Sequence, residues 1–166
     1  NQQVPAAIAL LGSELRPEIL HQTGEQGLAA CQRAYQQAGI PARVTPFIDD
    51  MAAAYAWADL VICRSGALTV SELAAAGLGA ILIPFPAAVD DHQTRNAEYL
   101  TKEQAAVLLP ESRLAPESLA QLLQPLLADR GKLLTMACRA RARAQPESLD
   151  KIVGACLQAA GLEAVA

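Results

Sequence analysis

No surplus of positive charge runs through this sequence. Lys and Arg number 13 against 17 Asp and Glu, a formal net charge of −4. That balance argues against nucleic acid as a partner, since such binders carry a basic face. Cys-x-x-Cys pairs are also missing. Cys31, Cys63, Cys138 and Cys156 stand far apart, with no metal-ligand spacing among them. They read as reduced, mostly buried small hydrophobes of a cytosolic protein. No apolar run approaches the roughly 20 residues of a membrane span. No stretch has the pattern of a secretory signal either. Peripheral contact with a membrane stays open. Charged residues make up only 18% and apolar ones 52%, which excludes disorder. The 166 residues suffice for one domain with a proper core.

What is present is an alternation of helix and strand. "QQVPAAIALLG" predicts a helix ended by Gly12, "EILHQTG" a short strand turning at Gly24, and "EQGLAACQRAYQQAG" a helix stopped by Gly39. "ARVTPFI" reads as a strand, "DDMAAAYAWA" as a helix with two Asp at its start, "DLVICRSG" as a strand and "LTVSELAAAG" as a helix stopped by Gly77. The strand "AILIPFP", the helix "DDHQTRNAEYLTKEQ", the strand "AAVLLP" and three further helices complete the pattern. The last of these are "APESLAQLLQPLLAD", "GKLLTMACRARARA" and "ESLDKIVGACLQAAG". The strands are continuous apolar runs, as expected where helices cover both faces of a sheet. The fold class is therefore α/β, a Rossmann-like parallel sheet with right-handed crossovers.

In such sheets ligands bind beyond the carboxyl ends of the strands. Three of those ends carry informative residues. In "RSGALTVSE" a helix starts near Ala67 to Thr69; its free N–H groups suit a phosphate, and Gly66 allows close approach. Glu72, one turn further, matches two vicinal ribose hydroxyls. The same residues also spell a capping box, with Thr69 as N-cap and Glu72 three positions on. In "PFPAAVDDHQTRNA" the groups Asp90, Asp91, His92, Gln93 and Asn96 can read a sugar, or simply dress a helix start. In "VTPFIDDM" Phe47 and Ile48 offer an apolar wall and a backbone edge to a flat base, or are two core residues before a cap. His21, at the end of an earlier strand, reads as structural. Together the three loops compose a nucleotide-sugar site.

The stretch "FIDDMAAAYAWADLVICRSGALTVSELAAAG", followed by "DDHQTRNA", closely resembles the bacterial peptidoglycan N-acetylglucosaminyltransferases. These are two-domain GT-B glycosyltransferases that convert lipid I to lipid II. The resemblance covers nearly the whole chain and is most specific over residues 47–97. It implies that the chain binds UDP-N-acetylglucosamine. Ile48 then meets uracil through its main chain, with Phe47 beside it. Ala67, Leu68 and Thr69 line the helix start facing the phosphates, Glu72 holds the ribose hydroxyls, and His92 and Gln93 contact the sugar. At His92 the family often has Gln, so only hydrogen-bonding capacity is implied. Gly79 departs from the family's more usual "GLP", at a place remote from the site.

The resemblance further implies no cofactor and no metal. Asp49–Asp50 and Asp90–Asp91 look like helix caps, not a metal-binding pair. It implies a peripheral enzyme on the cytoplasmic side of the bacterial inner membrane. Residues 1–147 correspond to the donor-binding domain, cut inside its first βα unit and lacking its first strand and Gly-rich loop. Residues 148–166 correspond to a helix that packs towards the acceptor domain. That domain would bring lipid I and the catalytic base, so the chain alone is expected to transfer no sugar. Two other classes remain at this stage. One is a different UDP-sugar enzyme, such as a glycolipid synthase or a UDP-sugar epimerase. The other is a donor-binding subunit that works only with a separate partner.

Overall fold

The computed structural model describes residues 1–87 and 89–161. Helices and strands alternate from the start. They are α1 Gln3–Ala9, β1 Leu20–Gln22, α2 Leu28–Gln37, β2 Arg43–Thr45, α3 Met51–Trp57, β3 Leu60–Cys63 and α4 Ala67–Ala76. There follow β4 Gly79–Leu82, α5 His92–Thr101, β5 Ala106–Leu108, α6 Pro116–Leu127, α7 Arg130–Ala142 and α8 Ser148–Ala159. Gly39 and Gly77 stop α2 and α4 as predicted, both with left-handed backbone (φ 64° and 70°) that disfavours other residues. The first helix departs from expectation. It ends at Ala9 with Leu10 as its cap, short of Gly12.

All strand pairing is parallel, as the apolar runs imply. The pairs form two sheets, β1–β2 and β3–β4–β5, where the sequence suggests one.

Alternation along β4 sorts the core into two layers. Ile81 and Ile83 face α1, α2 and α6, meeting Ile8, Leu11, Tyr35, Leu119 and Leu123. Ala80 and Leu82 face the opposite layer, with Val70 and Leu73 of α4, Leu100 of α5 and Ala140 of α7. All four residues of β4 are buried, so it is the central strand of its sheet. Helices on both faces and a period of two along the strand give the α/β class its stability: each apolar side chain finds one of two cores.

Gly79 opens β4 under α7. A Cβ there would stand 2.9 Å from the Cβ of Met136, closer than real contacts allow. The glycine lets α7 sit directly on the sheet. Helix α8 is different: none of its residues is buried, and Leu149, Ile152 and Val153 lie 69%, 61% and 47% exposed. The expected role of 148–166 rests on that bare face; residues 162–166 lie outside the described set. The cysteines correct one expectation. Cys31 is buried and Cys63 partly so, but Cys138 and Cys156 are exposed, Cys156 on a helix none of whose residues is buried.

Candidate functional site

The carboxyl ends of β2, β3 and β4 carry the three loops that the sequence singles out. The β3 loop is the best built. Gly66 is the N-cap of α4, with φ −62° and ψ 146° and no side-chain cap. The capping-box reading therefore fails. Thr69 lies three residues inside the helix, and Glu72 caps nothing. The N–H groups of Ala67, Leu68 and Thr69 precede the first intrahelical bond, which Val70 makes to the Gly66 carbonyl at 2.9 Å. No acidic residue sits in the first turn. An unsatisfied, positively polarised helix end without a competing carboxylate is suited to an anion.

Gly66 itself is not required by the fold. Its backbone is open to any residue, and a Cβ would meet nothing nearer than Thr69 Oγ1 at 3.6 Å. The missing side chain leaves room for something outside the chain. Leu68 beside it is 80% exposed.

Glu72, one turn on, is also exposed. Its Oε2 accepts the hydroxyl of Tyr55 from α3 at 3.0 Å. Burial and this carboxylate both raise the Tyr55 pKa, so the phenol stays a donor. Cys63, beneath them at the end of β3, is pushed up to about 12, by burial first and by Glu72 second. It is an inert thiol, not a nucleophile.

Between the loops runs a set of bonds that sequence reasoning missed. Ser65 is fully buried, and its hydroxyl donates to the Gln93 carbonyl at 2.8 Å. Asn96 returns a bond from Nδ2 to the Ser65 carbonyl at 3.1 Å. Asn96 is thus turned inward and does not reach for a sugar. Gln93 Oε1 accepts the Phe85 N–H at 2.9 Å, which leaves its amide NH2 to point elsewhere. Arg64 donates to the carbonyls of Ile83 (3.3 Å) and Pro84 (3.0 Å), pairs with Glu111 and lies over the Phe85 ring. The only sequence signal for this tie was an Arg-Ser pair at a strand's carboxyl end.

His92 opens α5 and is exposed. Before it, Asp90 and Asp91 hold left-handed φ of 54° and 51°. The cap expectation divides here. Asp50 caps α3 through the Ala53 N–H at 2.8 Å, whereas Asp91 accepts the Thr94 hydroxyl at 2.6 Å and caps no backbone group. At the β2 end, Phe47 is 64% exposed, so it is no core residue. The Ile48 N–H donates to Gln22 Oε1 at 3.0 Å, and its carbonyl is the remaining polar group of that peptide edge.

His21 is structural, as expected. Its Nδ1 meets the Tyr35 hydroxyl at 3.0 Å and its Nε2 meets Asn1 Oδ1 at 3.2 Å. Burial lowers its pKa to about 4. No group of three His, Cys, Asp or Glu able to hold a metal occurs among the described residues. A shallow cavity of about 280 Å³, lined by Arg95, Tyr99, Lys102 and Arg143, lies away from His92 along α5 and takes no part in the site.

The model of the glycosyltransferase family 28 C-terminal domain matches residues 1–152. The chain belongs to that family. Among its curated relatives is a UDP-N-acetylglucosamine–N-acetylmuramyl-(pentapeptide) pyrophosphoryl-undecaprenol N-acetylglucosamine transferase from Marinobacter nauticus. It is 58% identical over 160 residues, 96% of this chain and 44% of the relative. A protein of the same name from Xanthomonas axonopodis is 56% identical, over 97% of this chain and 38% of the relative. The crystal structure of MurG from Acinetobacter baumannii superposes with a TM-score of 0.87 at 43% identity, over 93% of this chain and 46% of that one. The family 28 chain thus spans less than half the length of the curated relatives it matches. The family inferred from the motif over 47–97 and the α/β class inferred from the alternation of helix and strand both agree with these likenesses.

Proposed function

We propose that the protein carrying this chain transfers N-acetylglucosamine from UDP-N-acetylglucosamine to lipid I, giving lipid II, and that this chain supplies the donor-binding half. The observation that carries the reading is the start of α4. A glycine that the fold does not need opens an uncapped, acid-free first turn, with a fixed carboxylate one turn behind it. That spacing suits a diphosphate followed by a ribose. The names of the relatives supply the sugar and the acceptor class.

In this reading the N–H groups of Ala67, Leu68 and Thr69 hold the diphosphate, and Glu72 accepts the ribose hydroxyls. The Ile48 carbonyl meets the uracil N3–H beside Phe47. His92 and the free amide of Gln93 reach the sugar. The reaction is a direct inverting displacement. The muramyl hydroxyl attacks the anomeric carbon, a base outside this chain takes its proton, and UDP departs. Negative charge grows on the leaving diphosphate while the sugar gains oxocarbenium character. Helix α4 is already aimed at that charge, so its dipole needs no reorganisation in the transition state. The scheme routes no step through a metal or cofactor.

The acceptor approaches across a cleft formed with a second domain, towards which α8 turns its apolar face. The protein works at the cytoplasmic side of the inner membrane as a peripheral enzyme. No helix among the described residues is long and apolar enough to cross a membrane.

The test uses the full-length protein, lipid I and labelled UDP-N-acetylglucosamine. Lipid II should form only with both substrates present. Isomerisation of the UDP-sugar without an acceptor would replace this reading with an epimerase. Transfer to a different lipid would keep the donor site and change the acceptor.

A further inference from the structure

We propose that Tyr55 is a positioning residue for donor binding, orienting the Glu72 carboxylate towards the ribose. The inference rests on the reading of Glu72 as the ribose contact. Helix α3 begins directly after the Phe47–Ile48 loop and is fixed there by the Asp50 cap. Tyr55 lies on its side facing α4, with its ring packed against the core layer of Val70, Leu73 and Ala74. A ring anchored in that way holds its hydroxyl in one place. That hydroxyl donates to Glu72 Oε2 at 3.0 Å.

Glu72 needs such an anchor. It is exposed, and it takes part in none of the ion pairs among the described residues. A free glutamate samples several rotamers and loses that freedom when it grips a ligand. The carboxylate has about four lone-pair sites. The phenol fills one site on Oε2. All of Oε1 and the second site on Oε2 remain for two vicinal hydroxyls. Tyr55 also joins the helix that follows the base loop to the helix that meets the phosphates, so base, ribose and phosphate contacts share one rigid frame. A purely structural bridge between α3 and α4 would use the same bond, and the choice of ligand separates the two roles.

The experiment titrates UDP and 2′,3′-dideoxy-UDP into the full-length protein by calorimetry, as wild type, Tyr55→Phe, Glu72→Gln and the double variant. Tyr55→Phe keeps the ring and its packing. It should weaken UDP binding about 5- to 20-fold, at or below the low end of what a direct hydrogen bond to a charged group is worth, and leave the dideoxy ligand unchanged. The double variant should bind UDP no more weakly than Glu72→Gln alone. Donor KM should rise in Tyr55→Phe with kcat unchanged. Should Tyr55→Phe fold poorly, Tyr55→Leu removes the same donor while keeping an apolar body, and should give the same ligand signature. Equal weakening of both ligands, no weakening of either, or additive losses in the double variant would overturn the proposal. If Glu72→Gln itself fails to distinguish the two ligands, the ribose assignment falls and this proposal falls with it. If Glu72→Gln distinguishes them and Tyr55→Phe does not, only the role of Tyr55 is refuted.

Discussion

Replacing Gly66 by Ala separates a residue kept for the fold from one kept for the ligand. The backbone at φ −62° and ψ 146° accepts alanine, and the new methyl meets only Thr69 Oγ1 at an ordinary 3.6 Å. Two stability effects then oppose each other. Restricting the unfolded chain stabilises by about 0.4–1 kcal/mol. Alanine is a poorer N-cap than glycine, which costs roughly 0.5–1 kcal/mol. The net change should stay within about 0.5 kcal/mol, a shift of about 2 °C or less in Tm. Donor binding should respond far more. A methyl in the approach to the Ala67–Thr69 N–H groups displaces the diphosphate from at least one charge-assisted hydrogen bond, worth about 1.5–3 kcal/mol. Donor KM should therefore rise about 10- to 100-fold. The assay measures lipid II formation against UDP-N-acetylglucosamine concentration in the full-length variant, with a melting curve beside it. Unchanged KM at unchanged Tm would show that the phosphates lie elsewhere. A large fall in Tm would show that the glycine is structural after all.

Glu72→Gln should raise donor KM about 10- to 100-fold with no loss of Tm, since the residue caps nothing; a lowered Tm with unchanged KM would sink the ribose role. His92→Ala should impair UDP-N-acetylglucosamine more than UDP, whereas Gln93→Ala should impair both, because Gln93 also holds the Phe85 N–H; calorimetry with the two ligands reads the contrast, and equal losses in His92→Ala would remove it from the sugar. Gly79→Ala should destabilise by about 1–3 kcal/mol through the collision with Met136, read by denaturant melting. Burial holds His21 near 4 against an ordinary 6.5, so the unfolded chain takes up its proton first. The stability due to neutral His21 is then complete above pH 6.5 and lost as pH falls towards 4, by about 1–2 kcal/mol once partial exposure is discounted. His21→Gln should flatten that part of the pH–Tm profile, and an unchanged slope would refute the assignment.

What the sequence determined by itself was local. Apolar runs and periodic helices declare an α/β chain, and Gly39 and Gly77 mark helix ends because a left-handed residue is a property of one position. The motif from Phe47 to Asn96 places candidate binding groups at strand ends for the same reason, since a strand and the loop after it are contiguous. Only the tertiary structure decided what those groups do. It began α4 at Ala67 with Gly66 as N-cap, which rules out Thr69 as the cap, and gave Glu72 to Tyr55, a partner 17 residues away. It turned Asn96 inward to Ser65 across 31 residues and spent Gln93 Oε1 on Phe85. It left Phe47 in solvent, where one reading of the sequence made it core, and brought Cys138 and Cys156 to the surface. The spacing of residues encodes which faces are apolar. Which side chains come within 3 Å of one another depends on how the helices lie on the sheet, and the packing of whole layers sets that arrangement.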